Sequence, residues 1–338
     1  MLTSMSSLSE TFALPVRRAD QIAAVCDLAP VQAADRARLY VNLASRQGGD
    51  RIDRIEKRIR RSVGHQRELV TGHAGSGKST ELLRLATELR KPKDGKSFHV
   101  VYVDANESLG MWNLRLPQIV IAMIAALAKE PRIDLKQNQA ASSLAKRVKA
   151  IAQAVGKELA SKVDDIAGME LLGAALKASQ EVSNQFRSVA AAQMQDLLVA
   201  AAAFVAEVSR DLGLEIVFVV DNLEKVPPQQ IEGDQSLHDV LFVQELPLLD
   251  LPAHVILTYP ISLNYTAYGH RWSRARSPTF RATTSACSAA RTTCRCCPAW
   301  RVRVSFTKAF PSTPSARSCW RWSRWSTTPI PGSTSTRW

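Results

Sequence analysis

The chain has 338 residues, 46% hydrophobic and 22% charged, an ordinary globular composition that excludes disorder throughout and leaves room for one large or two modest domains. Its formal charge of +13 would suit a polyanionic partner, but residues 271–338 alone carry 12 Arg, 1 Lys and no acid. The first 270 residues therefore balance at 31 basic and 31 acidic side chains, and a balanced body has no general attraction for nucleic acid.

Residues 1–15 are rich in Ser and Thr and are expected to be loose; they place no Lys or Arg ahead of an apolar core, as a secretory leader would. The longest apolar runs, 119–128 and 197–206, are about half the roughly 20 residues of a membrane span. The expectation is a cytoplasmic chain without a membrane partner. Residues 16–66 read as a helical lead-in, in which 51–61 puts Ile52, Ile55 and Ile59 on one face and a basic face toward solvent.

From residue 67 to 265 strands and helices alternate. Residues 68–71 predict a strand, followed by a glycine cluster and a helix marked by Leu82, Leu83, Leu85, Ala86 and Leu89. A second strand spans 98–103 and ends in Asp104; an apolar helix follows over 116–128. An Ala-rich helical insertion fills about 132–212, as one helix over 143–166 and another over 181–212 stopped by Gly213. The continuous apolar runs 216–220 and 255–259 predict strands buried on both faces. Strands separated by helices argue an α/β three-layer domain with a mostly parallel sheet.

Residues 266–338 differ in kind. Five of the six Cys and six of the seven Trp lie beyond residue 270, where Leu, Asp, Glu, Asn, Gln, Met and Tyr are absent. Arg, Ser, Thr, Pro, Ala, Cys and Trp together are what GC-rich codons yield out of frame, so the reading is a frame shift between Asn264 and Ser277. A genuine tail would instead be a nucleic-acid arm, with Arg on phosphate and Trp on bases. The Cys spacing fits no zinc pattern. Cys26, the one cysteine of the body, reads as a small apolar residue.

The chemistry lies between the first strand and its helix. Gly72, His73, Ala74, Gly75, Ser76, Gly77, Lys78 and Ser79 spell G-x-x-x-x-G-K-[ST], with Thr80 next. Glycines let backbone N–H groups wrap a phosphate, the helix start turns its positive end to the same anion, Lys78 reaches the β- and γ-phosphates, and Ser79 offers a hydroxyl to Mg²⁺. Such a loop needs a carboxylate on a neighbouring strand, and Asp221 ends one. Glu224 is the candidate general base for the attacking water. Thr258, ending the next strand, is placed to meet a γ-phosphate or that water, and Asp104 shares the same sheet edge.

With residues 72–80 as Walker A, 217–224 as Walker B and 255–259 as a sensor-like strand, residues 40–265 resemble the AAA/STAND group of P-loop ATPases. They are similar above all to bacterial ATP-binding proteins with a GHxGSGKSTEL stretch, here residues 72–82 with Ala74 in the variable slot. The resemblance implies a 5-1-4-3-2 sheet, ATP and Mg²⁺ at its C-terminal edge, and hydrolysis or switching coupled to assembly, with a homo-oligomer or a protein partner. Two departures matter. Asn222 follows Asp221, so the second acid is displaced to Glu224, as in several STAND-like and KAP-like proteins. The fifth strand, lid and effector domain should follow Pro260, where the anomalous tail begins; the expectation is that the fifth strand is missing, exposing a sheet edge beside the site and weakening the fold. No arginine finger can be assigned. The alternatives are a non-hydrolysing nucleotide-dependent scaffold, a small-molecule kinase, or nucleic-acid binding through the tail.

Overall fold

The computed structural model describes residues 40–41, 50–230 and 236–265, and the backbone of 281–285. All of them belong to the compact unit Met1–Ala290. The expected loose N-terminus, Cys26, most of the lead-in before residue 50, and the tail apart from 281–285 lie outside the described residues.

Five parallel strands form the sheet: β1 (Arg67–Gly72), β2 (Phe98–Asp104), β3 (Glu215–Asp221), β4 (His254–Thr258) and β5 (Arg281–Ser285). They stand in the order β2-β3-β4-β1-β5, every pair parallel. This order matches the expected one read from its other end. It corrects the expectation of a missing fifth strand: Arg281–Ser285 pairs with β1 from Glu68↔Arg281 to Gly72↔Ser285. A segment of mixed polarity can serve there because an outer strand contributes backbone hydrogen bonds first, and its Thr283 and Thr284 favour extended backbone.

Helices cover both faces. Alternation along β3 sends Val217 and Val219 into one core, with Ile52, Ile55 and Ile59 of α1 (Arg51–Arg61) and Leu82, Leu85 and Leu89 of α2 (Lys78–Arg90). Ile216, Phe218 and Val220 enter the other core, where α4 (Leu116–Leu127) and the insertion pack. A short turn of helix, α3 (Ala105–Ser108), follows β2.

The α1 face is not the solvated basic surface its sequence predicts. Arg58 makes a two-pronged ion pair with fully buried Glu68, at 2.7 and 2.8 Å. Arg60 is buried too, paired with Glu56 at 2.8 Å and donating to the carbonyls of Glu88, Lys91, Lys93 and Lys96. It closes the C-terminal end of α2, where carbonyls lack helical partners.

The insertion has more breaks than its periodicity predicts. α5 (Gln139–Val155) stops at Gly156 and a single turn, α6 (Lys157–Ala160), follows. Then α7 (Gly168–Ala178) fills the stretch between the two expected helices, and α8 (Gln180–Ala192) and α9 (Met194–Leu212) replace what reads as one late helix. The Ser179 hydroxyl accepts the Val182 N–H and caps α8. Gly168 opens α7 where the chain doubles back, and a Cβ there would fall 2.3 Å from the Lys162 carbonyl oxygen. α8 and α9 meet at 84°, and among the described residues no single helix is long and apolar enough to cross a membrane.

His254 shows how the strands are keyed. It is fully buried at the start of β4, its Nδ1 accepts the Gln66 N–H at 2.9 Å, and its Nε2 meets Glu215 at 2.9 Å. Burial holds its pKa below the ordinary value, against the opposing pull of Glu215. A depressed pKa means that the unfolded chain binds the proton more readily. The stability this residue contributes is therefore complete above about pH 6.5 and is lost as pH falls through that value toward the folded pKa. Chemical unfolding at pH 7.5 and 5.5 is expected to show the loss, and His254→Gln, which keeps a donor and an acceptor, is expected to flatten that slope.

Candidate functional site

The site is assembled at the C-terminal edge of the sheet, where β1, β3 and β4 end. β1 delivers the chain into the glycine loop at Gly72, and α2 begins at Lys78. Two glycines make the loop possible: Gly75 and Gly77 have φ of 72° and 82°, in the left-handed region that side chains disfavour. Gly77 is the N-cap of α2, and no side chain caps that end. The Ser76 N–H closes a tight turn onto the His73 carbonyl at 3.2 Å.

A cavity of about 820 Å³ lies over this loop, lined by Gly72 through Thr80, by Asp104 at the end of β2 and Glu107 after it, by Asn222 and Glu224 after β3, and by His238. His73, Ala74, Gly75, Ser76, Gly77, Lys78, Ser79 and Thr80 thus all face one space, with Glu224 across it. That volume is in the range of small-molecule sites, about 300–1,000 Å³.

Lys78 is 7% exposed, and its ammonium has three acceptors: the carbonyls of Gly72 at 3.1 Å and His73 at 3.2 Å, and Glu224 Oε1 at 2.9 Å. The other oxygen of Glu224, Oε2, is buried and has no hydrogen-bond partner among the described residues. A carboxylate with one paired and one orphaned oxygen, beside a cavity, is poised to accept a further donor.

Asp221 stands behind the loop and is fully buried. Its Oδ1 accepts the Asn222 N–H at 2.7 Å and its Oδ2 accepts the Tyr102 hydroxyl at 2.7 Å, and Ser79 stands close enough for its hydroxyl to act on the carboxylate. Burial pushes its pKa up; the bonds from Ser79, Tyr102 and Asn222 pull the other way, and Glu224 adds to the rise. Ser79 and Asp221, the two expected metal ligands, are therefore together. Tyr102 has a hydroxyl pKa raised by burial first and by Asp221 next.

Asn222 takes φ 66°, a left-handed turn unusual outside glycine, and this swings the chain so that Glu224 faces Lys78. Thr258 is fully buried and serves that turn: its hydroxyl accepts the Leu223 N–H at 2.9 Å. It is not among the cavity's lining residues, so the structure brings it to the loop that carries Glu224 and not to the cavity itself. Asp104 lies beside Asp221 in the β2–β3 register and caps α3 by accepting from Asn106 at 2.8 Å and Glu107 at 3.4 Å.

Two residues of the site have no motif to announce them. Tyr102 could have been noticed only because it shares the parity of Asp104 along β2. His238 is buried, with Nε2 2.7 Å from the Val226 carbonyl, and reaches the cavity from the start of the helical segment Asp239–Glu245. No family model matches the chain, and a search of curated proteins finds no match.

Proposed function

We propose that this chain binds ATP with Mg²⁺ and hydrolyses it, as a P-loop ATPase of AAA/STAND type. The observation that carries the reading is the convergence on one cavity of the glycine loop with Ser79, the Lys78 ammonium and Glu224, with Asp221 fully buried behind Ser79.

The residues fit these groups chemically. Lys78, together with the N–H groups of the first turn of α2, which lack helical acceptors, forms a donor set suited to an anion. Ser79 and Asp221 offer hard oxygen donors, which suit Mg²⁺. Bound Mg²⁺ supplies neutralisation of charge on the β- and γ-phosphate oxygens.

The chain's own groups then act in order. On nucleotide binding the Lys78 ammonium exchanges Glu224 for phosphate oxygens, which frees the Glu224 carboxylate. Glu224 takes the proton of the attacking water as that water's oxygen bonds to the γ-phosphorus, and the bond to the bridging oxygen breaks to leave ADP and phosphate. Thr258 holds the Leu223 amide and so keeps Glu224 facing the loop.

The Lys78–Glu224 pair also favours a second reading, a scaffold that binds nucleotide without turnover, since a paired carboxylate is a poor base. Phosphate release from Mg-ATP separates the two. Glu224→Gln is expected to retain nucleotide binding and to slow turnover about a hundredfold, the lower end of what general-base catalysis contributes. Unchanged turnover removes Glu224 from the chemistry; binding without turnover in the parent chain establishes the scaffold.

A further inference from the structure

We infer that Tyr102 is a positioning residue for the metal-binding carboxylate of Asp221, an inference that rests on the Mg-ATP reading and extends it to the neighbouring strand β2. Asp221 is fully buried, so protein donors, not bulk water, must set its orientation. Two donate to it and the Ser79 hydroxyl stands beside them, and the three differ in permanence. The Asn222 N–H belongs to the next residue and moves with the turn that carries Glu224. The Ser79 hydroxyl is the group assigned to Mg²⁺ and is drawn toward the ion when it binds. The Tyr102 hydroxyl, 2.7 Å from Oδ2, belongs to neither.

The strand register explains why a tyrosine can do this. Tyr102 pairs with Val219, two residues before Asp221 and on the same side of β3. Its ring is partly buried against the core under α2, which fixes its direction, and its length spans the remaining step to the carboxylate. Phe at this position would pack the same ring and lack the donor. With Tyr102 on Oδ2 and Asn222 on Oδ1, the plane of the carboxylate is held at two points, and each oxygen keeps a lone pair for a further partner. Tyr102 itself lines a separate groove of about 620 Å³ along the outer edge of β2, so it acts through Asp221 and not by touching nucleotide.

The test uses the full chain and a fluorescent ATP analogue, titrated once with Mg²⁺ and once with EDTA; the ratio of the two affinities is the magnesium increment. Tyr102→Phe is expected to reduce that increment about tenfold, the scale of one hydrogen bond to a charged group, while the affinity in EDTA is unchanged. In an Asp221→Asn background the same change is expected to have no further effect, because the two residues act as one unit. An increment in Tyr102→Phe equal to or above that of the parent overturns the inference and leaves the Mg-ATP reading intact, as does an effect of undiminished size in the Asp221→Asn background. A parent chain that binds no nucleotide with or without Mg²⁺ overturns both.

Discussion

Lys78→Ala is expected to weaken Mg-ATP binding by about a hundredfold to a thousandfold, because it removes the ammonium at the start of α2 that is placed to make charge-assisted bonds to two phosphates. Equilibrium titration with labelled nucleotide measures it. The variant has a second consequence that separates it from simple loss of contact. Glu224, whose Oε1 is held at 2.9 Å by Lys78 and whose Oε2 is buried, would be left half-buried without its cation. A carboxylate drawn partly out of water and deprived of its partner is destabilising. The double variant Lys78→Ala with Glu224→Gln is therefore expected to be more stable to urea than Lys78→Ala alone, while binding nucleotide no better. Nucleotide affinity near that of the parent in Lys78→Ala would remove Lys78 from the site.

Arg60→Ala is expected to be the most damaging change far from the cavity, at about 3–5 kcal/mol of folding stability. The buried guanidinium pairs with Glu56, serves four backbone carbonyls between Glu88 and Lys96, and lies 5.6 Å from the centre of the Phe98 ring. Truncation leaves those carbonyls short of a donor and Glu56 with only Lys93 at 3.4 Å. Urea unfolding followed by circular dichroism gives the loss. Arg60→Lys is expected to recover less than half of it, since one ammonium cannot reach acceptors spread around a planar fork. A loss under about 1 kcal/mol would show that these bonds are replaced by water.

The contrast between these two residues marks what could be read in advance. Lys78 sits in a pattern whose spelling follows from phosphate chemistry, so its place in the loop and at the start of a helix was legible. Asp221 was legible because a run of apolar residues ending in an acid places that acid at a sheet edge. Arg60 was not: its neighbours along α1 are charged, and the acceptors that bury it come from residues 88 to 96, which no local pattern links to it. The helix breaks at Gly156 and Gln193 were hidden because Ala-rich sequence fits straight and broken helices equally well; the turn at Gly168 depends on contact with Lys162. Tyr102 was hidden by its chemistry, since a tyrosine in a strand is ordinary until its hydroxyl is seen against a carboxylate. The strand at Arg281–Ser285 lay in sequence without apolar alternation, and only the open side of β1 gives it a role.

The sheet order carries a consequence for the chain during synthesis. β1 lies between β4 and β5, and the bond from the Gln66 N–H to His254 joins positions 188 residues apart. At ribosomal speeds of roughly 5–20 residues per second, β1 waits about 10–40 s for its first partner strand to be made. Throughout that interval Leu69 and Val70 have no strand beside them, while β2, the insertion and β3 emerge. α1 and α2 flank β1 in the sequence and supply Ile55, Ile59, Leu82 and Leu85 to the same core as Val70. Among the described residues they are the partners nearest in sequence that can cover Val70, so the helix that Arg60 anchors is also placed to act as an intramolecular guard against premature aggregation.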